Sequence, residues 1–454
     1  MENAHVLEAA LAGDLLTSDA GMAQLTTLAD QFGGRAAGSS DEAAAGAYLA
    51  DTLLNLAGAP LVRQFRYAGW QRGEEQLAVI APVERRFPAV SLPGSPSADL
   101  EAELIAIGSG EQEEVEAVAA DIRGKIVLCG AEATRPNGQP PSHRRVKYLR
   151  AAHLGAVGFL YVGQNPGMLA VTGGLAGTEQ APIPGFGVAL EVGALLERLL
   201  ARGPVTLRLH AQHGHDVVTS SNIMVDLPGH SAEVILVGAH YDGHDIAQAA
   251  TDNGSGVAVL LELVRVLAPW RGRLQHSVRC CFWGSEEVGL LGSWHYARTA
   301  GAALDPVIWV LNLDSVVNGP PGRLRLRAWP PLAQEAATAV LHGRSLAVTV
   351  EGGLTSDSDH FPFAAAGIPV IAAGAGGPRN GLVGRGWGHT VADTVDKVDP
   401  TALAFATATA GRILVRLSES APALPRLTGR ELDDALQAAG RLQASRRWQE
   451  LQFV

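Results

Sequence analysis

Residues 234–267 read VILVGAHYDGHDIAQAATDNGSGVAVLLELVRVL, and three kinds of structure succeed one another along them. The run opening at Val234–Val237 is short, apolar and rich in β-branched residues, the pattern of a strand buried on both faces. From Gly254 to Leu267, Val257, Leu260, Leu261, Val264 and Leu267 share one helical face, with Glu262 and Arg265 on the other. Between strand and helix lie His240, Asp242 and Asp252, followed by the tight turn Asn253-Gly254-Ser255-Gly256. Buried strand, polar loop and helix form the unit of an α/β sheet with helices on both faces. Val278–Phe282, Val307–Leu313 and Val370–Ala372 repeat the strand pattern, so the unit recurs.

Side chains just past the carboxyl ends of such strands converge. His240 ends VILVGAH, Asp314 ends VIWVLNLD, and Glu286 and Glu287 follow SVRCCFWGS. Asp252 stands at the turn into the helix, and His389 ends the Gly-rich GLVGRGWGH. Two imidazoles and three carboxylates suit two neighbouring zinc ions when one carboxylate bridges them. The remaining glutamate of the Glu286-Glu287 pair then serves a water as proton acceptor. Each residue alone has an ordinary reading: a satisfied histidine, a helix cap at Asp252, a solvated Glu-Glu loop. Five of them at strand ends or site-facing loops reverse that, and the set reads as a hydrolase. His215, His244, His276 and His295 lack such company and read as structural.

The rest of the chain frames the site. Residues 1–81 are helical in pattern, with Ser39-Ser40-Asp41 as a cap and Ala44, Tyr48, Leu49 and Leu53 near helical spacing. Residues 82–215 change to short β runs broken by Gly and Pro, too long for a loop and hence a small inserted domain. Residues 216–422 carry the α/β pattern, and 423–454 form a helical tail. The expected fold is α/β, a mixed, mostly parallel sheet flanked by helices, with a small β-rich insert.

At 454 residues and 47% hydrophobic composition the chain builds substantial cores. A net charge of -11 argues against nucleic-acid or anionic-membrane partners, which select basic patches. No apolar stretch is long enough to span a membrane. The amino-terminal MENAHVLEAALAGDLL has no signal-peptide pattern, and Cys129, Cys280 and Cys281 make no disulfide framework; both point to a reducing cytoplasm. Cys280 and Cys281, being adjacent on a strand, should face opposite sides of the sheet. Nothing in the sequence specifies an oligomeric state.

The segments VGAHYDGHD, ATDNGSG, FWGSEEVGL, VLNLDS and WGHTVADT resemble the co-catalytic zinc exopeptidases, a family of bacterial aminopeptidases, glutamate carboxypeptidases and catalytically silent receptors. The resemblance runs from about Ser220 to Pro400, more loosely over 30–80. It implies two zinc ions per chain: His240 and Asp314 on one, Glu287 and His389 on the other, Asp252 bridging. Glu286 becomes the general base and Asp242 the carboxylate orienting the His240 ring. DIRGKIVLCG, HLGAVGFLYV and IPGFGVALEVGALLERLL resemble the protease-associated domain, implying an insert that shapes access to the site.

Many aminopeptidases of this family carry a tyrosine before the last histidine, where this chain has Gly388. Residues 70–75 and 244–248 resemble the plasma glutamate carboxypeptidase branch, so a carboxypeptidase or dipeptidase stands beside the leading reading, an aminopeptidase acting on short peptides. Arg379 and Arg385 suit a substrate carboxylate, and Asp359 and His360, in SDSDHFPFAAAGIPVI, suit the site wall. Glutaminyl cyclisation, with one zinc, and a metal-free receptor-like protein are the readings from other classes; the intact ligand set argues against the latter.

Overall fold

The apolar runs become the middle of an eight-stranded sheet. Its order is Leu61–Ala68, Val217–Leu227, Ser277–Trp283, Val234–His240, Val307–Leu313, Val370–Ala375, Leu324–Trp329, Val348–Gly352. The four strands from Ser277–Trp283 to Val370–Ala375 are parallel. Antiparallel pairs join the flanking strands to them, with a further parallel pair at the Val348–Gly352 edge. This is a computed structural model, and it describes residues 2–130, 141–175, 181–318, 323–343, 346, 348–375, 382–449, 451 and 453–454.

Alternation along the strands splits the interior into two cores. Ile235, Val237, Cys280, Phe282, Leu311 and Leu313 face one side; Val234, Leu236, Cys281, Trp283 and Val310 face the other. Cys280 and Cys281 thus point to opposite faces, and all three cysteines are free and buried. On the first side Leu7, Leu11 and Leu15, one stripe of Glu2–Thr17, meet helices Ser255–Leu267 and Pro400–Ser420, and Ser40–Ala57 packs against Ser255–Leu267. On the second lie Leu291–Thr299, Phe361–Ala365 and the carboxyl-terminal helix Gly429–Ala438, whose Leu436 is buried there with Leu451. The tail is therefore part of the core of the α/β domain; the Val454 N–H also donates to Arg66 O at 2.9 Å.

Local rules hold at most boundaries. Ser39 caps Ser40–Ala57 by accepting from Glu42 N at 3.1 Å, and Gly58 ends the helix at φ 91°. Ala45, not Ala44, occupies the buried stripe with Leu49 and Leu53. Helix Ser255–Leu267 departs from the expected two-faced pattern: Glu262 is buried, paired with Arg265 at 2.7 Å and packed against Gly21 of a neighbouring helix. Val217–Leu227, Leu324–Trp329 and Val348–Gly352 were not legible as strands, because polar residues such as Ser220, Asn222, Arg325 and Arg327 interrupt their apolar pattern.

The insert forms a second eight-stranded sheet, ordered Arg85–Phe87, Glu75–Ala81, Thr206–Ala211, Ala98–Ala106, Ile126–Cys129, Gly158–Val162, Gly185–Val188, Ala89–Ser91. Its first strand starts at Glu75 rather than after 82, since Glu75–Ala81 pairs with Thr206–Ala211. Among the described residues no helix is long and apolar enough to cross a membrane.

Candidate active site

Parallel strands with aligned ends bring the expected residues together. His240 ends its strand in register with Trp283, which places the following Glu286-Glu287 turn beside it. Asp314 follows the next strand, and its backbone N–H bonds Ala373 O at 3.1 Å. Three non-glycine residues at these turns, Ser285, Ser315 and His389, have left-handed backbone at φ 55°, 52° and 62°. Such conformations are uncommon outside glycine and gather at functional sites.

Asp252 sits at the centre. Its Oδ1 lies 3.4 Å from His240 Nε2, and its Oδ2 lies 3.4 Å from His389 Nε2. Asp314 Oδ1 is 3.8 Å from His240 Nε2, and Glu287 Oε2 is 3.3 Å from His389 Nε2. The donors thus form two groups, His240-Asp252-Asp314 and His244-Glu287-His389. His244, an ordinary structural histidine by sequence, belongs to the second: its Nε2 is 3.0 Å from Glu287 Oε2.

The surroundings keep these donors oriented. The Asp393 carboxylate accepts Thr251 N at 2.7 Å and Asp252 N at 3.1 Å. Asn253 spans helix and strand, donating to Leu313 O at 2.9 Å and accepting from Gly256 N at 3.0 Å. A Cβ at Gly256 would collide with Asn253 Oδ1 and Leu313 O, so this turn requires glycine. Buried Arg35 donates to Tyr241 O, Gln248 O and Ala249 O at 2.7–2.9 Å, pinning the loop between His240 and Asp252. Ser358 Oγ donates to Asp314 Oδ2 at 2.6 Å.

Asp242 does more than the sequence suggested. The His240 Nδ1 lies 3.2 Å from the Asp242 backbone oxygen and 3.5 Å from its carboxylate. The carboxylate accepts Glu286 N at 2.9 Å and Glu287 N at 3.1 Å. It therefore fixes the turn that aims both glutamates. His389 is held from the insert: its Nδ1 faces Thr172 O at 3.2 Å.

Electrostatics follow from burial and the crowd of carboxylates. Burial disfavours charge at every group here. Against it, His240, His389 and Arg385 hold Asp252 well below the usual carboxylate range, and His244 and His389 do the same for Glu287. Glu286 moves the other way, pushed well up by burial and by Glu287, Asp359 and Asp314 despite His240. Asp359 is pushed up to about 7, chiefly by burial, and His360 is brought down to about 4 for the same reason.

The wall residues divide. A cavity of about 290 Å³ beside Asp314 is lined by His360, Arg385, Arg325 and Arg327 among others. Asp359 does not line it; its buried carboxylate accepts Ser293 Oγ at 2.5 Å. Arg379 lies outside the described residues. Arg385 Nη1 lies 3.2 Å from Asp252 Oδ2 and 3.0 Å from His389 Nε2, a cation already placed between two donors. A Cβ at Gly388 would sit 3.4 Å from Asp252 Oδ2, so a side chain there would run over the site. Without one, Arg385 occupies that ground.

The donor chemistry fits zinc. Among the described residues, His244 Nε2, Glu287 Oε1 and Asp314 Oδ1 are buried without hydrogen-bond partners. Unpartnered buried imidazole and carboxylate atoms are costly unless an ion satisfies them, and zinc takes both donor types.

A strand-end cluster of histidines and carboxylates on an α/β sheet is the architecture of a metal-dependent hydrolase. The model of peptidase family M28 matches residues 222–413, and that of the PA domain matches residues 97–196. The chain is therefore similar to peptidase family M28 over its α/β part and to the PA domain over its insert. It is 28% identical to the probable lipoprotein aminopeptidase LpqL of Mycobacterium tuberculosis, over 86% of this chain and 82% of that protein. Carboxypeptidase Q of Rattus norvegicus is 27% identical over 56% of this chain, which spans 55% of that relative's length. The structure of BSAP, a zinc aminopeptidase from Bacillus subtilis, matches with a TM-score of 0.67 at 22% identity, over 91% of this chain and 98% of that one. That likeness establishes a common fold.

Proposed function

We propose that this chain is a zinc aminopeptidase that removes single residues from short peptides, with two zinc ions per chain. One observation carries the reading: the two oxygens of Asp252 each lie 3.4 Å from the Nε2 of a different histidine. A carboxylate so placed between two donor groups is suited to bridging. His240 and Asp314 would complete one ion's protein ligands, and Glu287 and His389 the other's. When bound, zinc supplies the Lewis acidity that polarises a peptide carbonyl and makes water a better nucleophile.

The chain's own residues do the rest. Glu286, next to the Glu287 donor, is pushed well above its usual range by burial and neighbouring carboxylates, which suits a group that must take a proton and give it back. It accepts the proton of the attacking water and returns it to the leaving amine as the peptide C–N bond breaks. Asp242 holds Glu286 and Glu287 at their angles through two backbone N–H groups. For an ion to use both Asp252 Oδ2 and His389 Nε2, the Arg385 side chain must swing outward, and its 44% exposure permits this. Surplus carboxylates beside the ions, Asp359 among them, suit the field around a substrate ammonium.

A second reading, carboxypeptidase action, is favoured by Arg327 and Arg385 in the cavity beside Asp314. Guanidinium groups at that place suit a terminal carboxylate. Dipeptides acylated at the amino end or amidated at the carboxyl end separate the two readings. The aminopeptidase reading expects acylation to stop cleavage and amidation to be tolerated; the reverse overturns it.

A further inference from the structure

His244 is placed as a ligand is placed. It lies on the loop joining His240 to Asp252, a loop tied down at both sides. Arg35 grips the backbone at Gln248 and Ala249, and Arg72 clamps neighbouring Asp245 through two bonds of 2.7 and 2.9 Å. A Cβ on Gly34 would strike His244 O, so the loop is pressed against the preceding chain. The ring is buried, and its centroid is 4.4 Å from that of His389 at 76°, so both imidazoles converge on Glu287.

The decisive feature is what the ring nitrogen meets. His244 Nε2 is 3.0 Å from Glu287 Oε2 yet makes no hydrogen bond to it or to any other described group. Glu287 Oε1 is buried and likewise without a hydrogen-bond partner. The ligating atoms of His244, Glu287 and His389 all lie within 4.8 Å of one another. A buried imidazole nitrogen and a buried carboxylate oxygen, each left without a hydrogen-bond partner, are unfavourable, and a shared cation removes both penalties.

We infer that His244 is itself a ligand of the ion held by Glu287 and His389, so that the two zinc positions are unequal. The inference rests on the zinc-pair reading above. With Asp252 Oδ2, the Glu287 position has four protein donors, whereas the other has His240, Asp252 and Asp314. Four protein donors characterise closed, tightly held zinc, and three leave a place open. The Glu287 position is then the retained ion, and the His240 position the exchangeable one that keeps room for water or substrate.

The test uses full-length protein loaded with zinc or cobalt(II). Wild type should release metal to a graded chelator in two steps, one ion clearly more resistant. His244→Ala should bring the resistant ion down by more than the roughly 10–100-fold typical of losing an outer-sphere partner. His295→Ala, a half-buried-ring control away from the cluster, should leave both steps unchanged. His244→Cys loaded with cobalt should show a near-ultraviolet thiolate-to-metal charge-transfer band, which appears only when residue 244 contacts the ion. A resistant step unchanged from wild type in His244→Ala, together with no such band in His244→Cys, would overturn the inference while leaving the zinc pair intact. Wild type that takes up no zinc would overturn the zinc-pair reading itself.

Discussion

His389 and Thr172 exchange hydrogen bonds across the boundary between the two sheets: the His389 ring Nδ1 faces Thr172 O at 3.2 Å, and Thr172 N donates to His389 O at 2.8 Å. An Nδ1–H given to a carbonyl leaves the Nε2 lone pair directed at Asp252 and Glu287, the tautomer that a metal ligand needs. The insert thus sets the orientation of a candidate ligand.

The same grip extends along the loop. Asn165 of the insert accepts from Val383 N at 2.8 Å and donates to Gly386 O at 2.8 Å and Val383 O at 3.2 Å. Asn165→Ala should loosen residues 383–389 and weaken zinc binding by about 10-fold, the low end for an outer partner. Competition with a chromogenic chelator measures it, with circular dichroism confirming the fold. Wild-type affinity in this variant would leave the insert without a part in holding the ligand.

Asp242→Asn keeps size and removes charge. An amide side chain has one acceptor oxygen, so one of the Glu286 and Glu287 N–H groups loses its partner. A hydrogen bond to a charged group is worth about 1.5–3 kcal/mol, so kcat/KM should fall roughly 10–100-fold. The check is steady-state kinetics beside metal content. Unchanged kinetics would mean that the turn holds itself.

Replacing Arg385 by alanine distinguishes cation mimic from substrate grip. In the aminopeptidase reading, the variant should bind zinc at least as tightly as wild type. Its kcat/KM on an unblocked dipeptide should change by much less than about 1.5–3 kcal/mol. A large kcat/KM loss confined to substrates with a free carboxylate would support the carboxypeptidase reading.

Stability has its own marker far from the site. Buried Glu8 bonds Arg412 and Arg416 at 2.8 Å, tying the first helix to Pro400–Ser420. Burial opposes its charge, but the two arginines outweigh it and lower the Glu8 carboxyl below 4.5. A lowered carboxyl stabilises the fold above the unfolded value and loses that contribution as pH falls through the folded one. Glu8→Gln should therefore lower stability by about 1.5–3 kcal/mol at pH 7. Denaturant titrations should show the gap to wild type closing as the solution is acidified below the unfolded value. A gap independent of pH would assign the loss to packing.

Strand ends made most of the site legible in advance. His240, Glu286-Glu287 and Asp314 were found because each follows a run of buried strand residues, and strand register then fixes where they meet. His244 was missed because nothing local distinguishes it from a structural histidine; only folding of its loop brings it to Glu287. Arg35, Asp393 and Thr172 act through backbone groups distant in sequence, and a contact of that kind leaves no pattern of residue types. Asp393, four residues after His389 in WGHTVADT, had the one available signal: a carboxylate inside a segment already carrying a ligand. The insert boundary was misplaced because strand Glu75–Ala81 looks alike whichever sheet it joins, and only its pairing with Thr206–Ala211 decides.

The central claim, that Glu286 handles the proton while Glu287 holds metal, is tested most directly by zinc analysis and turnover on two neighbouring variants. Glu286→Gln should retain the wild-type zinc content and lose roughly 10²–10⁴ in kcat, the worth of a general base. Glu287→Gln should lose one ion. Wild-type turnover in Glu286→Gln, or equal loss of zinc from both variants, would contradict the assignment.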